Sequence, residues 1–205
     1  FASIGVGKST GTRIFSVSGH VKRPGNYEVP MGQVSLRQMI YEFAGGIRGD
    51  KELKAFIPGG ASAPMMKPEH LDTPLDFESV KEAGSMLGSG GITVMDEDTC
   101  IVWAAMNLME FFDHESCGQC TPCREGSGWV LQILQRIEHG YGRPGDIDQL
   151  VYLCGRIEGK TVCAFGEAEV GPVLSSIKHF RAEFEQHIRE KGCPFHPNVT
   201  LSMAH

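Results

Sequence analysis

The hydrophobic period of the chain changes near residue 97. Before that point Gly and Pro recur, and they separate short runs that alternate apolar with polar residues or are rich in Val, Ile and Phe, as strands are. After it, apolar residues recur every three or four positions, as they do in amphipathic helices. The sequence therefore predicts an α+β protein with one domain over 1–96, which includes an N-terminal linker, a second over 97–191, and an irregular tail over 192–205.

The spacing of apolar residues predicts strands and helices in both domains. In the first domain these are four strands and two short helices: strands 13–21, 26–29, 54–57 and 91–96, with helices 35–44 and 76–84. In the second domain four apolar stripes with short connections favour an antiparallel four-helix bundle. The stripes run over Val102 to Phe112, Trp129 to Ile137, Ile147 to Ile157 and Val173 to Ile188. Their apolar side chains are expected to form the core.

The composition argues against several classes of function. A formal net charge of -6 argues against binding to nucleic acid, which needs clustered Lys and Arg. The longest apolar run, CIVWAAM, is much shorter than the roughly 18 residues that span a bilayer, so no direct membrane span is expected.

The N-terminal segment carries no motif that predicts a function. Its GVGKST lacks the first Gly of a phosphate loop, and no signal peptide is expected. Because the chain begins with Phe1 rather than Met, we expect that a segment precedes it.

Three of the seven cysteines occupy one short loop. They form a C-x2-C-x2-C motif: Cys117, Cys120 and Cys123. This spacing suits metal ligation better than a disulfide framework, and it indicates a reducing compartment. Gly118 allows a tight turn, and Thr121 followed by Pro122 predicts a helix start. Cys123 would then lie at the positive end of a helix dipole, where a thiolate is favoured.

Three chemistries compete for this cysteine motif. A thioredoxin-like redox pair needs an αβ scaffold, whereas helical periodicity lies on both sides of this loop. A structural zinc site usually combines two separated C-x2-C pairs, and the sequence has only one such region. An iron-sulfur cluster accepts three cysteines from one loop and a fourth from elsewhere. The spacing therefore favours a 4Fe-4S cluster, with zinc as the alternative.

The fourth ligand is not local, because the next position of a ferredoxin run is Ser127. Four other cysteines remain. Cys163 lies in a Gly-bracketed connection between the last two predicted helices and is the favoured candidate. Cys193 precedes a proline, as ferredoxin ligands often do, and is the second. Cys154 fits a core position, and Cys100 heads the first helix of the second domain.

Four segments, two in each predicted domain, carry a resemblance to a known family. ESCGQCTPCREG followed by IEGKTVCAFGE resembles the 4Fe-4S signature of the NADH-binding flavoprotein subunit of respiratory complex I, NADH-quinone oxidoreductase. Upstream, SVSGHVKRPGNYEV and LGSGGITVMD are similar to the ubiquitin-like β-grasp domain of that family, so the resemblance covers nearly the entire chain. It implies a β-grasp domain followed by a four-helix domain, with these cluster ligands: Cys117, Cys120, Cys123 and Cys163.

The resemblance also implies a function. In the family a larger N-terminal part holds FMN and NADH, and no residue of this chain is assigned to either. This part would pass single electrons from reduced FMN through the 4Fe-4S cluster. Its partners would be the thioredoxin-like two-iron subunit and the large multi-cluster subunit of the peripheral arm, on the cytoplasmic face of the bacterial plasma membrane. The alternatives are the equivalent subunit of an NAD-linked hydrogenase or formate dehydrogenase, and a noncatalytic interaction module with a structural zinc site.

Overall fold

The structure is a computed structural model that describes residues 1–196. The chain divides into two compact units, the first over Phe1–Thr99 and the second beginning at Cys100. Strands lie in the first unit and long helices in the second, so the prediction of an α+β chain is confirmed at this coarse level. The predicted tail over 192–205 lies mostly outside the described residues.

Within residues 1–99, all of which are described, the first unit has six strands and one α-helix. Their bounds are β1 (Gly5–Val6), β2 (Ser9–Thr10), β3 (Thr12–Gly19), β4 (Gly25–Pro30), β5 (Leu53–Ile57), β6 (Gly91–Asp96) and α1 (Phe77–Glu82). Four strands form a mixed sheet in the order β4-β3-β6-β5. The β3–β6 pair is parallel, and the β3–β4 and β5–β6 pairs are antiparallel. The four strands predicted from the sequence are present with small changes at their ends.

Three features of the first unit differ from the predicted elements or add to them. The helix expected over 35–44 is a π-helix over Gln38–Phe43, because an apolar pattern does not distinguish the two kinds of helix. Two short 3-10 helices, Arg48–Asp50 and Pro68–His70, were not predicted. The expected N-terminal linker contains the hairpin of β1 and β2, whose two-residue strands are too short to show a period.

The core of the first unit lies against the sheet. Phe15 and Val17 on β3 are buried while their neighbours Ile14, Ser16 and Ser18 are exposed, which is the alternation of a strand with one covered face. The N-cap of α1 is Asp76, whose carboxylate accepts a 2.7 Å hydrogen bond from Ser79 N. Its buried residue Val80 belongs to the same apolar cluster. The buried residues of β3 and of the capped helix α1 therefore belong to one apolar core.

Between residues 100 and 196 the second unit has four α-helices: α2 (Ile101–Glu115), α3 (Thr121–Glu138), α4 (Asp146–Ile157) and α5 (Phe165–Glu190). All four coincide with the predicted apolar stripes. Helix α2 packs against α3 and α5, and α4 packs against α3 and α5. Two stripe residues are not core as expected, since Trp129 is 53% exposed and Val151 is 42% exposed. Each lies at the edge of the buried face of its helix, because the face that is buried is narrower than the apolar stripe in the sequence.

The helix connections position the candidate site. The loop 116–120 joins α2 to α3, and the loop 158–164 joins α4 to α5. The end of α4 meets the start of α3, since a Cβ on Gly126 would lie 2.8 Å from Ile157. Both loops therefore lie at one end of the helical unit. Among the helices described within 1–196, none combines the length and the apolar character that crossing a membrane requires.

Candidate iron-sulfur centre

The two loops at this end of the helical unit enclose a pocket of about 120 Å³. Four cysteines line it: Cys117, Cys120, Cys123 and Cys163. The rest of the lining includes Glu115 at the end of α2 and Phe165 at the start of α5. The structure therefore brings together all four of the residues that the sequence singled out, from segments about 40 residues apart (163 − 123 = 40).

The first loop is held in its turn by its own polar groups. Gly118 has a φ of 76°, a left-handed conformation that other residues adopt only with strain. Its N–H donates to Ser116 Oγ over 3.4 Å, and its carbonyl accepts a 3.0 Å bond from Arg124 Nη1. Helix α3 begins at Thr121 with Cys120 at the N-cap, one residue earlier than predicted. The turn therefore leads the chain from Cys117 into the first turn of α3, where Cys123 lies.

The four sulfurs have different surroundings. Cys123 is buried, Cys120 is half-buried, and Cys117 and Cys163 are exposed. Cys120 Sγ accepts a 3.4 Å hydrogen bond from Val162 N, which joins the first loop to the second. A cluster or metal ion can therefore enter this pocket from solvent past the exposed sulfurs of Cys117 and Cys163. The side of that group that faces Cys123 would then be shielded from solvent.

The innermost thiol has two polar partners. Cys123 Sγ lies 3.3 Å from Ser116 Oγ and 3.6 Å from Glu169 Oε2. Burial raises the pKa of the Cys123 thiol; the Ser116 hydrogen bond opposes this rise and the Glu169 carboxylate adds to it. A bound metal would supply the positive charge that a thiolate needs at this position.

Glu169 was missed in the sequence. It is fully buried on α5, and its Oε1 has no hydrogen-bond partner among the described residues. Burial raises its pKa to about 7, the hydrogen bond with Cys123 opposes the rise, and the charge of Asp113 adds to it. One signal could have found it, because Glu169 falls four residues before Val173 and eight before Ile177, in register with the apolar stripe.

The remaining cysteines lie elsewhere. Cys154 is fully buried, as the sequence predicted. Cys193, the second candidate for the fourth ligand, does not line the pocket but lies close to Cys100 in a separate buried group. Of the two candidates, Cys163 is the one that the structure places beside the motif. Four thiols in one pocket suit either a 4Fe-4S cluster or zinc, so the donor set alone leaves both open.

Two family profiles match the chain. Residues 103–187 match the family described as NADH-ubiquinone oxidoreductase-F iron-sulfur binding region. Residues 13–94 match the SLBB domain family. The first match covers most of the helical unit and includes the four-cysteine pocket, so the fold and the pocket define a protein that binds a 4Fe-4S cluster.

Curated relatives agree with this class. The F subunit of the NADH-quinone oxidoreductase of Mycobacterium bovis is 48% identical over 100% of the chain, and that of Streptomyces coelicolor is 49% identical over 100%. The F subunit of Rickettsia felis is 48% identical over 92%. The chain belongs to the family of these NADH-quinone oxidoreductase F subunits. It spans 45% of the length of each of the three relatives.

A solved structure has the same fold. The air-oxidised NAD+-reducing [NiFe]-hydrogenase aligns with a TM-score of 0.81 and 32% identity. The alignment covers 91% of this chain and 31% of the hydrogenase chain. The fold is therefore found also in a second class of NAD-linked oxidoreductase.

Proposed function

We propose that this chain is the electron-transfer part of the NADH-oxidising subunit of an NADH-quinone oxidoreductase. Electrons from reduced FMN, held by another part of the parent protein, would leave through a 4Fe-4S cluster bound by four cysteines: Cys117, Cys120, Cys123 and Cys163. The observation that supports this most directly is that these four thiols line one pocket within the matched iron-sulfur binding region.

The donor set and its surroundings suit that cofactor. Three thiols come from one turn at a helix N-terminus and the fourth from a separate loop, a combination that iron-sulfur clusters accept. A 4Fe-4S cluster gains and loses one electron at a time. The hydroxyl of Ser116 and the N–H of Val162 lie within hydrogen-bond distance of Cys123 and Cys120, and such bonds to ligand sulfurs help set a reduction potential. Residues of both loops would therefore tune the potential.

The finer domain assignment is part of the same proposal. Residues 1–96 would be the β-grasp domain with its N-terminal linker, 97–191 the four-helix iron-sulfur domain, and 192–205 an irregular tail. The SLBB match over 13–94 and the mixed four-stranded sheet with α1 support the first assignment. The packing of α2 and α4 against α3 and α5 supports the second.

The parent protein would work in a larger assembly. The relatives are named as one subunit of an NADH-quinone oxidoreductase, and this name supports the proposal that the parent protein has partner subunits. We assign these to the thioredoxin-like two-iron subunit and the large multi-cluster subunit, in a peripheral arm on the cytoplasmic face of the plasma membrane. FMN and NADH would bind outside this chain. A second candidate is the equivalent subunit of an NAD-linked hydrogenase, which the alignment with the NAD+-reducing [NiFe]-hydrogenase favours.

The proposal is tested by removing the fourth thiol. In anaerobically purified chain with reconstituted iron and sulfide, Cys163→Ala leaves three thiols in the pocket and adds no ligand atom at position 163. We expect the wild-type chain to hold about four iron and four sulfide atoms, and the variant to lose the corresponding signal in low-temperature EPR of the reduced protein.

The matched control is Cys154→Ala, which removes a buried thiol of the same helical unit that does not line the pocket. We expect its EPR spectrum and iron content to equal those of the wild type. An unchanged spectrum in Cys163→Ala would contradict the ligand assignment. A wild-type chain that holds zinc and no iron in this pocket would support the noncatalytic zinc module instead.

A further inference from the structure

A second group of side chains with metal-ligand atoms, two thiols, an imidazole and a carboxylate, lies at the other end of the helical unit. It consists of Cys100, Glu138, His187 and Cys193, which we call the buried tetrad. Their relative exposures are 0%, 6%, 0% and 8%, and one donor atom from each lies within 4.8 Å of all the others. Nothing in the iron-sulfur proposal uses these residues.

The buried tetrad joins separate elements. Cys100 is the N-cap of α2, Glu138 is the last residue of α3, His187 is in the last turn of α5, and Cys193 follows α5. The iron-sulfur pocket lies at the opposite ends of the same helices. Along α3, Cys123 and Glu138 are 15 residues apart (138 − 123 = 15), or about 22 Å at 1.5 Å per residue. The two groups are therefore separate sites.

Three distances define the arrangement of Cys100, Glu138 and His187 within the tetrad. Cys100 Sγ lies 3.2 Å from Glu138 Oε2 and 3.2 Å from His187 Nε2. His187 Nε2 lies 3.2 Å from Glu138 Oε2. In a tetrahedral site with metal–ligand bonds of about 2.0 to 2.3 Å, ligand atoms are about 3.3 to 3.8 Å apart. The three donors thus already form one face of a tetrahedron close to the right size.

The histidine is oriented as a metal ligand. His187 Nδ1 lies 2.8 Å from the carbonyl oxygen of Glu183, to which it can only donate. That bond places the ring proton on Nδ1 and leaves the lone pair of Nε2 directed at Cys100 and Glu138. A backbone carbonyl that fixes the ring in this way is the usual second partner of a zinc-bound histidine.

The thiol and the carboxylate are also supported. Trp103 N donates to Cys100 Sγ over 3.2 Å, a bond that stabilises a thiolate. The carboxylate of Glu138 lies beside the thiols of both Cys100 and Cys193 in the same buried group. The site therefore combines soft sulfur, imidazole and an anionic oxygen in an interior where a cation lowers the free energy.

We propose that the buried tetrad is a structural zinc site. Two sulfurs, one nitrogen and one oxygen make a four-ligand set that suits Zn²⁺, and the burial of all four residues leaves no side open for substrate. The ion would join α2, α3, α5 and the segment after α5. This inference is independent of the proposed cluster, since a chain can hold iron at one end and zinc at the other.

The test is a reciprocal metal analysis on the full chain. The protein is purified anaerobically, its 4Fe-4S cluster is reconstituted so that zinc does not occupy the first pocket, and zinc and iron are measured together. We expect about one zinc per wild-type chain in addition to the iron. Cys193→Ala should lose the zinc and keep the iron and the EPR signal, whereas Cys117→Ala should lose the iron and keep the zinc.

Three further measurements distinguish loss of the metal site from loss of the fold. Because Cys193 follows the last helix, far-UV circular dichroism of Cys193→Ala should match the wild type. Cobalt substitution of the wild type should give thiolate charge-transfer bands and the visible bands of a tetrahedral site, and Cys193→Ala should lack both. For zinc in the wild type, X-ray absorption should show two sulfur and two nitrogen or oxygen neighbours, about 2.3 and 2.0 Å away.

Three results would overturn the zinc site. One is a folded wild-type chain that binds neither zinc nor cobalt after dialysis against either ion. Another is zinc content that falls in Cys117→Ala but not in Cys193→Ala, which would place the zinc in the first pocket. The third is a disulfide between Cys100 and Cys193 in the anaerobic protein, found by peptide mass spectrometry. Iron content and EPR are read separately, so these results leave the cluster proposal standing.

Discussion

The two ends of the helical unit hold cysteines in opposite ways. At the iron-sulfur end, two loops present four thiols, of which Cys117 and Cys163 are exposed. At the other end, Cys100, Glu138 and His187 have donor atoms 3.2 Å from one another inside the core. The first arrangement leaves its sulfurs available to a group that arrives from outside. The second is part of the packing itself, so its loss should weaken the fold as well as any site.

The largest difference between the two ends is expected for their glutamates. Glu138→Ala removes the partner that Cys100 and His187 share and leaves polar atoms buried without it, so the free energy of unfolding should fall by about 3–5 kcal/mol. Glu115→Ala, at the exposed end of α2 beside the iron-sulfur pocket, should change it by less than about 0.5 kcal/mol.

Urea unfolding measures both variants. The only tryptophans of the chain, Trp103 and Trp129, both lie in the helical unit, so their fluorescence reports on this unit and not on the sheet. Equal and small losses in Glu138→Ala and Glu115→Ala would show that the buried tetrad contributes little to stability.

The two ends also differ in how far the sequence could predict them. C-x2-C-x2-C is a local pattern, and its loop and helix start follow from Gly118, Thr121 and Pro122. The members of the buried tetrad are 38, 49 and 6 residues apart (138 − 100, 187 − 138, 193 − 187), so no local period connects them. Only the antiparallel packing of the helices brings α2's start and α3's end together. Cys193, assigned to an irregular tail, therefore gave no sign of its partners.

The same limit explains the other differences. The four helices were predicted because each carries a long apolar stripe, and long periods are the strongest signal in a sequence. The hairpin at Gly5–Thr10 has strands of two residues, too few for any alternation. Glu169 was missed because a charged residue within a stripe is ordinarily placed on the exposed face. For Glu169, the missing information was its tertiary neighbour Cys123.

The pH dependence of stability tests an ion pair near the buried tetrad. Two residues before Glu138, Arg136 donates to Asp146 over 2.8 Å and joins α3 to α4. Burial acts to raise the pKa of Asp146, but hydrogen bonds from Arg136 and from the N–H of Arg143 outweigh it and hold that pKa below its ordinary value. A lowered folded-state pKa gives stability that is present above about pH 4 and is lost as the pH falls through the folded-state value.

Asp146→Asn should therefore lower the free energy of unfolding at pH 7 by about 2–3 kcal/mol, less than for a fully buried pair because Arg136 is partly exposed. The difference from the wild type should shrink as the pH falls below about 4. The control Asp148→Asn, in the same turn of α4 but exposed and paired with Arg181, should cost less than about 1 kcal/mol. A loss that stays constant down to pH 3 would refute the electrostatic explanation.

The smallest expected effects concern the helix packing behind the iron-sulfur pocket. A Cβ on Gly126 of α3 would come within 2.8 Å of the end of the buried Ile157 side chain, whereas one on Gly155 of α4 would meet no atom within 4 Å. Gly126→Ala should lower the free energy of unfolding by about 1 kcal/mol, since only a flexible side chain must move. Gly155→Ala should raise it by about 0.5–1 kcal/mol, because alanine favours the helix.

Opposite signs for the two glycine variants, measured by the same urea unfolding, would show that α3 and α4 pack closely just behind Cys123. If Gly126→Ala were instead neutral, the helices would have room to separate at this end. The cysteine loops would then depend on the bound cluster for their position, and cluster loss in Cys163→Ala should be accompanied by a fall in the stability of the helical unit. If the packing is close, the same variant should lose its cluster and keep most of that stability.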